Sequence, residues 1–380
     1  MRVVVIGAGV LGASAAFHLA RSGAEVVLVD RSHDGRATAA GAGIVCPWLS
    51  GATDFDWYRV AAAGARYLPE LAGLLAGEGE RDLGHRRVGA LAVDRDGAGL
   101  DGIERRARAR AAEAPEAGEV SRLPPGEARR LFPPLHPALA AVHVTGGDRV
   151  DGRRLTAALC RAASRLGARA HAGAAEVLAE GGRVAGVRVG GDRIGADAVV
   201  VAAGVWAPAL LAPLGLTLAV EPQRGQITHL HLNGVDTGGW PVVLPPGSHY
   251  LIAFEGGRVV AGATRERGAG FDHRVTAAGQ AEVLNQALAV APGLASATLV
   301  ETRIGFRPLG PDAKPLLGVA GPDGLVIGNG LGPSGLTIGP YAGRLLAQVA
   351  LGQAPELDLA PYDPLRVCTG APTDEADAIR

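Results

Sequence analysis

The sequence predicts an α/β protein in which a doubly wound, dinucleotide-binding domain is interleaved with a smaller α+β domain built on an antiparallel sheet. Three observations carry this. Residues 2–30 read as strand, glycine turn, helix and strand. Buried-strand runs of the same kind return far downstream, at 199–201 and 325–327. Between about 217 and 304, short β-rich runs suggest an antiparallel sheet rather than more βαβ units.

Arg2-Val3-Val4-Val5-Ile6 is an apolar, β-branched run, as expected of a strand buried on both faces. Gly7, Gly9 and Gly12 follow. Leu11, Ala15, His18 and Leu19 then fall at helical spacing, and Gly23 closes the helix before a second run that ends at Asp30. Gly7 permits the turn, Gly9 lets backbone N–H groups approach a pyrophosphate, and Gly12 lets helix and strand pack closely. The helix N-terminus favours the negative phosphates. Asp30, 18 residues after Gly12, can accept hydrogen bonds from ribose hydroxyls and would repel a 2′-phosphate, which disfavours NADP. The candidate dinucleotide contacts are Gly7, Ala8, Gly9, Val10, Leu11 and Gly12, with Asp30 and Arg31 at the second strand's end. With 57 glycines in 380 residues, about one chance Gly-x-Gly-x-x-Gly is expected, so the context carries the reading. This unit alone fits NAD and FAD equally.

Ala37-Thr38-Ala39-Ala40-Gly41-Ala42-Gly43-Ile44 has almost no side-chain bulk, so its backbone can lie against a flat ligand or a diphosphate; a plain flexible loop is the alternative. Tyr67, Leu68, Leu71, Leu74 and Leu75 mark a helix, and residues 88–93 alternate as a strand. The Arg- and Glu-rich stretch 102–117 reads as a solvated helix whose charges face water rather than a site. Pro124-Pro125 and Pro133-Pro134 mark turns.

Residues 199–201 form a third buried strand, leaving through Ala202, Ala203 and Gly204 to Trp206. Runs at 225–232, 250–254 and 258–261 supply the antiparallel sheet. A strand at 325–327, a glycine-rich loop and a helix from about Pro340 to Leu351 follow, with Pro340 suited to the first helical turn. The expected division is 1–85, 145–216 and 305–364 for the dinucleotide domain, 86–144 and 217–304 for the substrate domain, and a mobile tail over 365–380.

Lys plus Arg (37) balance Asp plus Glu (38), so no global field attracts nucleic acid, and a small-molecule partner is favoured. No apolar run reaches the length of a membrane span, and the expected location is cytoplasmic. Cys46, Cys160 and Cys368 lie far apart with no Cys-x-x-Cys, and His229-x-His231 lacks a third ligand, so no metal is expected.

Eight segments, in order, resemble the FAD-dependent D-amino-acid oxidase superfamily, the branch with glycine oxidase, sarcosine oxidase and D-amino-acid dehydrogenases. They are the Gly7–Gly12 turn with Asp30, residues 37–44, Val150-Asp151-Gly152, 199–206, Arg224-Gly225-Gln226, Gly262-Ala263-Thr264-Arg265-Glu266, Gly305-Phe306-Arg307-Pro308, and Gly330-x-Gly332-x-x-Gly335. The resemblance implies a Rossmann-like FAD-binding domain and oxidation of a C–N bond by hydride transfer to flavin N5, giving an imine that hydrolyses. It implies flavin contacts at Ala39, Ala40, Gly41, Ala42, Gly43 and Ile44, at Ala203, Gly204 and Trp206, and at Gly332, Pro333, Ser334, Gly335 and Leu336. Arg307 stands where the family's substrate-carboxylate arginine stands, and Tyr250 matches a strand tyrosine that bonds the same carboxylate; a core tyrosine is the competing reading.

His249 should face away from Tyr250, and Trp48 reads more simply as core than as a wall of the site. Leu331 replaces a frequent His and Pro333 a second anchoring Arg, which argues against glycine itself as substrate. Val260 stands near the position of the lysine that sarcosine oxidases use with oxygen, and no Cys lies in 302–320, so FAD is expected to be held non-covalently. The substrate would be a small carboxylated amino acid or secondary amine, with 2-hydroxy-acid oxidation on the same fold, or a non-catalytic flavin-binding module, as alternatives.

Overall fold

The computed structural model describes residues 1–366. The expected mobile tail lies, apart from residues 365 and 366, outside the described residues; Arg366 itself is anchored, its guanidinium 2.5 Å from Asp312 Oδ1.

The β-branched opening run forms the strand Arg2–Ile6 in the middle of a six-stranded sheet. Across this sheet the order is Leu316–Val319, Leu325–Asn329, Ala198–Val201, Arg2–Ile6, Glu25–Asp30 and Arg169–Ala172. All neighbours are parallel except Leu316–Val319, which closes one edge antiparallel to Leu325–Asn329. Val3, Val4 and Val5 are fully buried because both faces are covered. Val3 and Val5 pack on the helices Val10–Arg21, Gly152–Arg165 and Gly335–Ala350. Val4 and Ile6 pack on the short helix Ala207–Leu211 and on a small antiparallel sheet that includes Arg183–Val189.

The last helix differs from expectation. It begins at Gly335 rather than near Pro340, which lies inside it. Proline in a helix interior forfeits a backbone bond. Here the helix is held by tertiary contacts instead, since Ser14 Oγ, from the helix Val10–Arg21, donates to the Pro340 carbonyl at 2.6 Å.

The second layer is an eight-stranded sheet ordered Thr298–Leu309, Glu221–His231, Arg258–Gly262, Tyr250–Ala253, Val242–Leu244, Ala90–Asp94, Ala140–Val144 and Val120–Leu123. Only the pairing of Val242–Leu244 with Ala90–Asp94 is parallel, and it joins two distant stretches of chain into one sheet. The expected division at residues 304/305 falls inside the strand Thr298–Leu309, which pairs with Glu221–His231 along its whole length and so carries Arg307 on this sheet.

The helix Phe55–Gly77 buries Tyr67, Leu68, Leu71 and Leu75 as their spacing requires, and Asp54 caps it by accepting from the Trp57 N–H at 2.8 Å. The charged stretch forms the helix Gly97–Glu113, which buries only Leu100 and Ala107. Two of its arginines, Arg106 and Arg110, nevertheless turn inwards onto backbone carbonyls, so the charge run is not wholly a solvated face. No helix among the described residues is long and apolar enough to cross a membrane.

Candidate active site

A cleft of about 470 Å³ runs from the C-terminal ends of the parallel strands to the face of the eight-stranded sheet. At its first end lies the glycine turn. Gly12 carries no side chain there because a Cβ would stand 1.9 Å from the Gly7 carbonyl oxygen, so any other residue would push the helix off the turn. The helix Val10–Arg21 has no side-chain cap at Gly9, and its positive end borders the cleft. Thr38 Oγ1 takes the Val10 N–H at 3.1 Å and ties this end to the small-residue segment. Asp30 accepts from Ala8 N–H and from Ser32 N–H, each at 2.6 Å, so the carboxylate shapes the turn as well as facing the cleft.

Of the candidate residues, Gly7, Gly9, Val10, Leu11, Asp30, Arg31, Ala40, Gly41, Ala42, Gly43 and Ile44 border the cleft, as do Ala203, Gly204, Trp206, Gly332, Pro333, Ser334, Gly335 and Leu336. Three stand back from it. Ala8 is turned to Asp30, Gly12 lies beneath Gly7, and the Ala39 carbonyl accepts from Arg153 Nε at 2.8 Å. The two glycine-rich loops are joined by Asn329, whose Nδ2 donates to the Gly204 carbonyl and whose Oδ1 accepts from Gly330 N–H, both at 2.8 Å. At the outer rim His33 stacks on Trp206, with ring centres 4.2 Å apart, and Trp206 stacks in turn on Phe271.

At the other end, alternation along the paired strands puts Gln223, Gly225, Ile227, Gly305 and Arg307 on one face. Gly225, Ile227, Gly305, Arg307 and Tyr250 border the cleft. The Arg307 guanidinium is aimed by two neutral acceptors: Nη1 donates to the Thr264 carbonyl at 3.0 Å and to Gln223 Oε1 at 3.3 Å. On the reverse face Arg224 pairs with Glu266 at 2.5 Å and Asp272 at 2.7 Å, and Glu266 also accepts from Gln226 and Thr264. Burial opposes ionisation of Glu266, but these donors outweigh it and hold the carboxyl below its usual range. The network fixes Thr264, and through its carbonyl Arg307.

Tyr250 lies against Gly262, its partner in the adjacent strand. His249 turns the other way, with Nε2 3.3 Å from Glu282. Trp48 is core: it is fully enclosed, and its indole N–H donates to the Gly146 carbonyl at 2.9 Å. Val260 is buried in the strand Arg258–Gly262, opposite His229 and Ile252.

Cys46, Pro47, Ser50 and Trp57 also wall the cleft, and nothing in their local sequence marks them. Burial pushes the Cys46 thiol up to about 12, which keeps it protonated and inert. Among the described residues no group of three or more His, Cys, Asp or Glu could hold a metal ion.

The family model for FAD dependent oxidoreductases matches residues 2–349. An uncharacterized oxidoreductase of Bacillus subtilis is 50% identical over 363 residues, covering 95% of this chain and 98% of its own. A glycine oxidase of Pseudomonas aeruginosa is 34% identical over 369 residues, covering 96% and 98%. Among solved structures, iminodiacetate oxidase from Chelativorans sp. BNC1 superposes with a TM-score of 0.93 at 55% identity, covering 96% of this chain and 99% of that one. The match spans both sheets and every wall of the cleft, and the chain therefore belongs to the family of FAD dependent oxidoreductases.

Proposed function

We propose that this FAD-dependent oxidoreductase oxidises the C–N bond of a small secondary amine of the N-substituted glycine type. The cleft fits the cofactor: an uncapped helix end and Asp30 suit the ADP moiety, and the nearly bulk-free wall Ala40–Gly43 suits a flat ring system. FAD supplies the hydride acceptor, N5 of its ring. The cysteines among the described residues, Cys46 and Cys160, are both held protonated by burial, which supports non-covalent attachment.

The observation that carries the proposal is the Arg307 guanidinium on the wall of the cleft that Tyr250 also borders. Arg307 binds the substrate carboxylate through its planar fork, and the Tyr250 hydroxyl donates a further bond. Ile227, Leu244 and Leu331 make the surroundings apolar, which excludes water and favours the neutral amine, whose lone pair must be free. The α-carbon gives up hydride, the nitrogen loses its proton, and the C=N bond formed is hydrolysed by water to a 2-oxo acid and an amine. The end of the helix Gly335–Ala350 borders the cleft, where its dipole favours added negative charge.

Two relatives support this choice of substrate class. Glycine and iminodiacetate share one unit, a nitrogen one carbon from a carboxylate. The 55% identity to the iminodiacetate oxidase supports a nitrogen that carries a second substituent. Anaerobic mixing of the holoenzyme with iminodiacetate, N-methylglycine, D-alanine, D-proline and 2-hydroxyglutarate tests this. Rapid loss of oxidised-flavin absorbance with the first two is expected; bleaching by the hydroxy acid alone, or by none of them, would refute it.

A further inference from the structure

We propose that Arg110 is a positioning residue for substrate selection: from outside the cleft it clamps the backbone of residues 47–52 and so holds the wall that receives the substituent on the substrate nitrogen. The inference rests on the N-substituted glycine reading given above.

Cys46, Pro47 and Ser50 border the cleft on the short segment that leads into the helix Phe55–Gly77, and Trp57 follows in that helix's first turn. The segment has few backbone–backbone bonds of its own, and Trp48 ties it to the Gly146 carbonyl by its indole N–H. Ser50 N–H reaches the Pro47 carbonyl at 3.2 Å, and Ala52 N–H reaches Ser50 Oγ at 3.1 Å. Its carbonyls are taken by Arg110, which projects from the helix Gly97–Glu113. Nη1 donates to Pro47 O at 3.0 Å, Trp48 O at 3.3 Å and Ser50 O at 2.6 Å, and Nη2 donates to Ala52 O at 3.1 Å.

Arg106 Nε adds a second bond to Ser50 O at 2.8 Å, and the Arg110 guanidinium lies 4.3 Å from the centre of the Tyr58 ring. Burial lowers the Arg110 pKa to about 10, which leaves it charged at neutral pH. Four carbonyls on one planar fork specify the shape of an irregular loop in a way a flexible ammonium cannot. Held from behind at its backbone, the segment keeps Cys46, Pro47 and Ser50 at the border of the cleft.

This wall borders the same cleft as Arg307 and Tyr250, the site proposed for the substrate carboxylate, and so is assigned to the rest of the substrate. A loosened wall should relax discrimination between a methyl and a carboxymethyl substituent.

The test compares wild type with Arg110→Ala and Arg110→Lys. Hydrogen exchange of the peptide 46–54 should rise roughly tenfold in Arg110→Ala. The ratio of kcat/KM for iminodiacetate to that for N-methylglycine should change at least about fivefold, through KM, with kcat and FAD content within about twofold of wild type and Arg110→Lys intermediate. Unaltered exchange, or raised exchange with an unaltered ratio, overturns the proposal.

If wild type oxidises neither amine, the proposed function has failed. The clamp is then judged by titrating acetate, glycolate and iminodiacetate into the holoenzyme and following flavin absorbance: altered relative affinities in Arg110→Ala support it, unaltered ones overturn it. Should Arg110→Ala not fold, Arg106→Gln removes only the Ser50 bond. It should raise exchange at residues 50–53 and shift the same ratio by a smaller factor; no change in either overturns the proposal.

Discussion

Arg307 lies flat against Gly225: a Cβ at residue 225 would stand 2.6 Å from Nη1 and 2.8 Å from the central guanidinium carbon. The glycine is the floor on which the proposed carboxylate anchor rests. Gly225→Ala should therefore lift the guanidinium off its acceptors and raise KM roughly tenfold or more while FAD stays bound, since losing an oriented charge-assisted bond is worth about 1.5–3 kcal/mol. Steady-state kinetics and the flavin spectrum of the same preparation would check both halves. Unchanged KM would show that Arg307 is not the anchor.

Replacing the proposed anchor itself should cost more. Arg307→Ala is expected to lower kcat/KM by roughly a hundredfold to a thousandfold, and Arg307→Lys by about tenfold to a hundredfold, because an ammonium cannot reproduce the planar fork. Tyr250→Phe should cost about threefold to tenfold, as one bond to a carboxylate is lost. Kinetics with iminodiacetate and N-methylglycine would measure all three.

Asp30 shapes the turn and is proposed to receive the ribose of FAD, and its removal should disturb both. Asp30→Ala leaves Ala8 N–H and Ser32 N–H without their acceptor, which costs about 1–3 kcal/mol for each donor that stays buried. FAD affinity should fall by roughly tenfold to a hundredfold in a titration of apoprotein followed by flavin fluorescence. Retention of wild-type affinity would remove Asp30 from the site.

Stability should fall on the acid side of neutrality. Burial, aided by Arg344 and Arg21, lowers His18 to about 3, and burial with Arg303 lowers His229 to about 4. Both are neutral when folded, whereas the unfolded chain takes up a proton on each below about pH 6.5. Their contribution is complete above that pH and is lost as pH falls towards 4, at up to about 1.4 kcal/mol per pH unit for each proton. Melting curves between pH 7 and 4 would show it, and His229→Leu should flatten the slope. An unchanged slope would exclude His229 as a source.

The parts of this site that can be read in the sequence are those set by local chemistry. The turn, the strand Arg2–Ile6 and Asp30 depend on neighbours within a single βαβ unit, and the β-branched runs announce themselves because both faces of that sheet are covered. Arg307 and Tyr250 could be named only through resemblance, because their place depends on strand register with Gln223, Gly225 and Gly262. Cys46 and Ser50 give no signal at all, since their segment has no period and is bonded by Arg110 from far along the chain, the bond to Pro47 spanning 63 residues. Pro340 was misplaced because a local rule, proline at a helix start, yielded to packing against Ser14.

The walls of one cleft are gathered from Ile6 at one end of the chain to Thr337 near the other. A nascent polypeptide still lacking the strand Leu325–Asn329 has neither the second glycine loop nor the inner neighbour that completes the parallel sheet. The cleft is thus complete only once the chain has been made as far as Thr337, and long-range pairing of this kind is slow. Until then the buried-strand valines have no complete sheet to join.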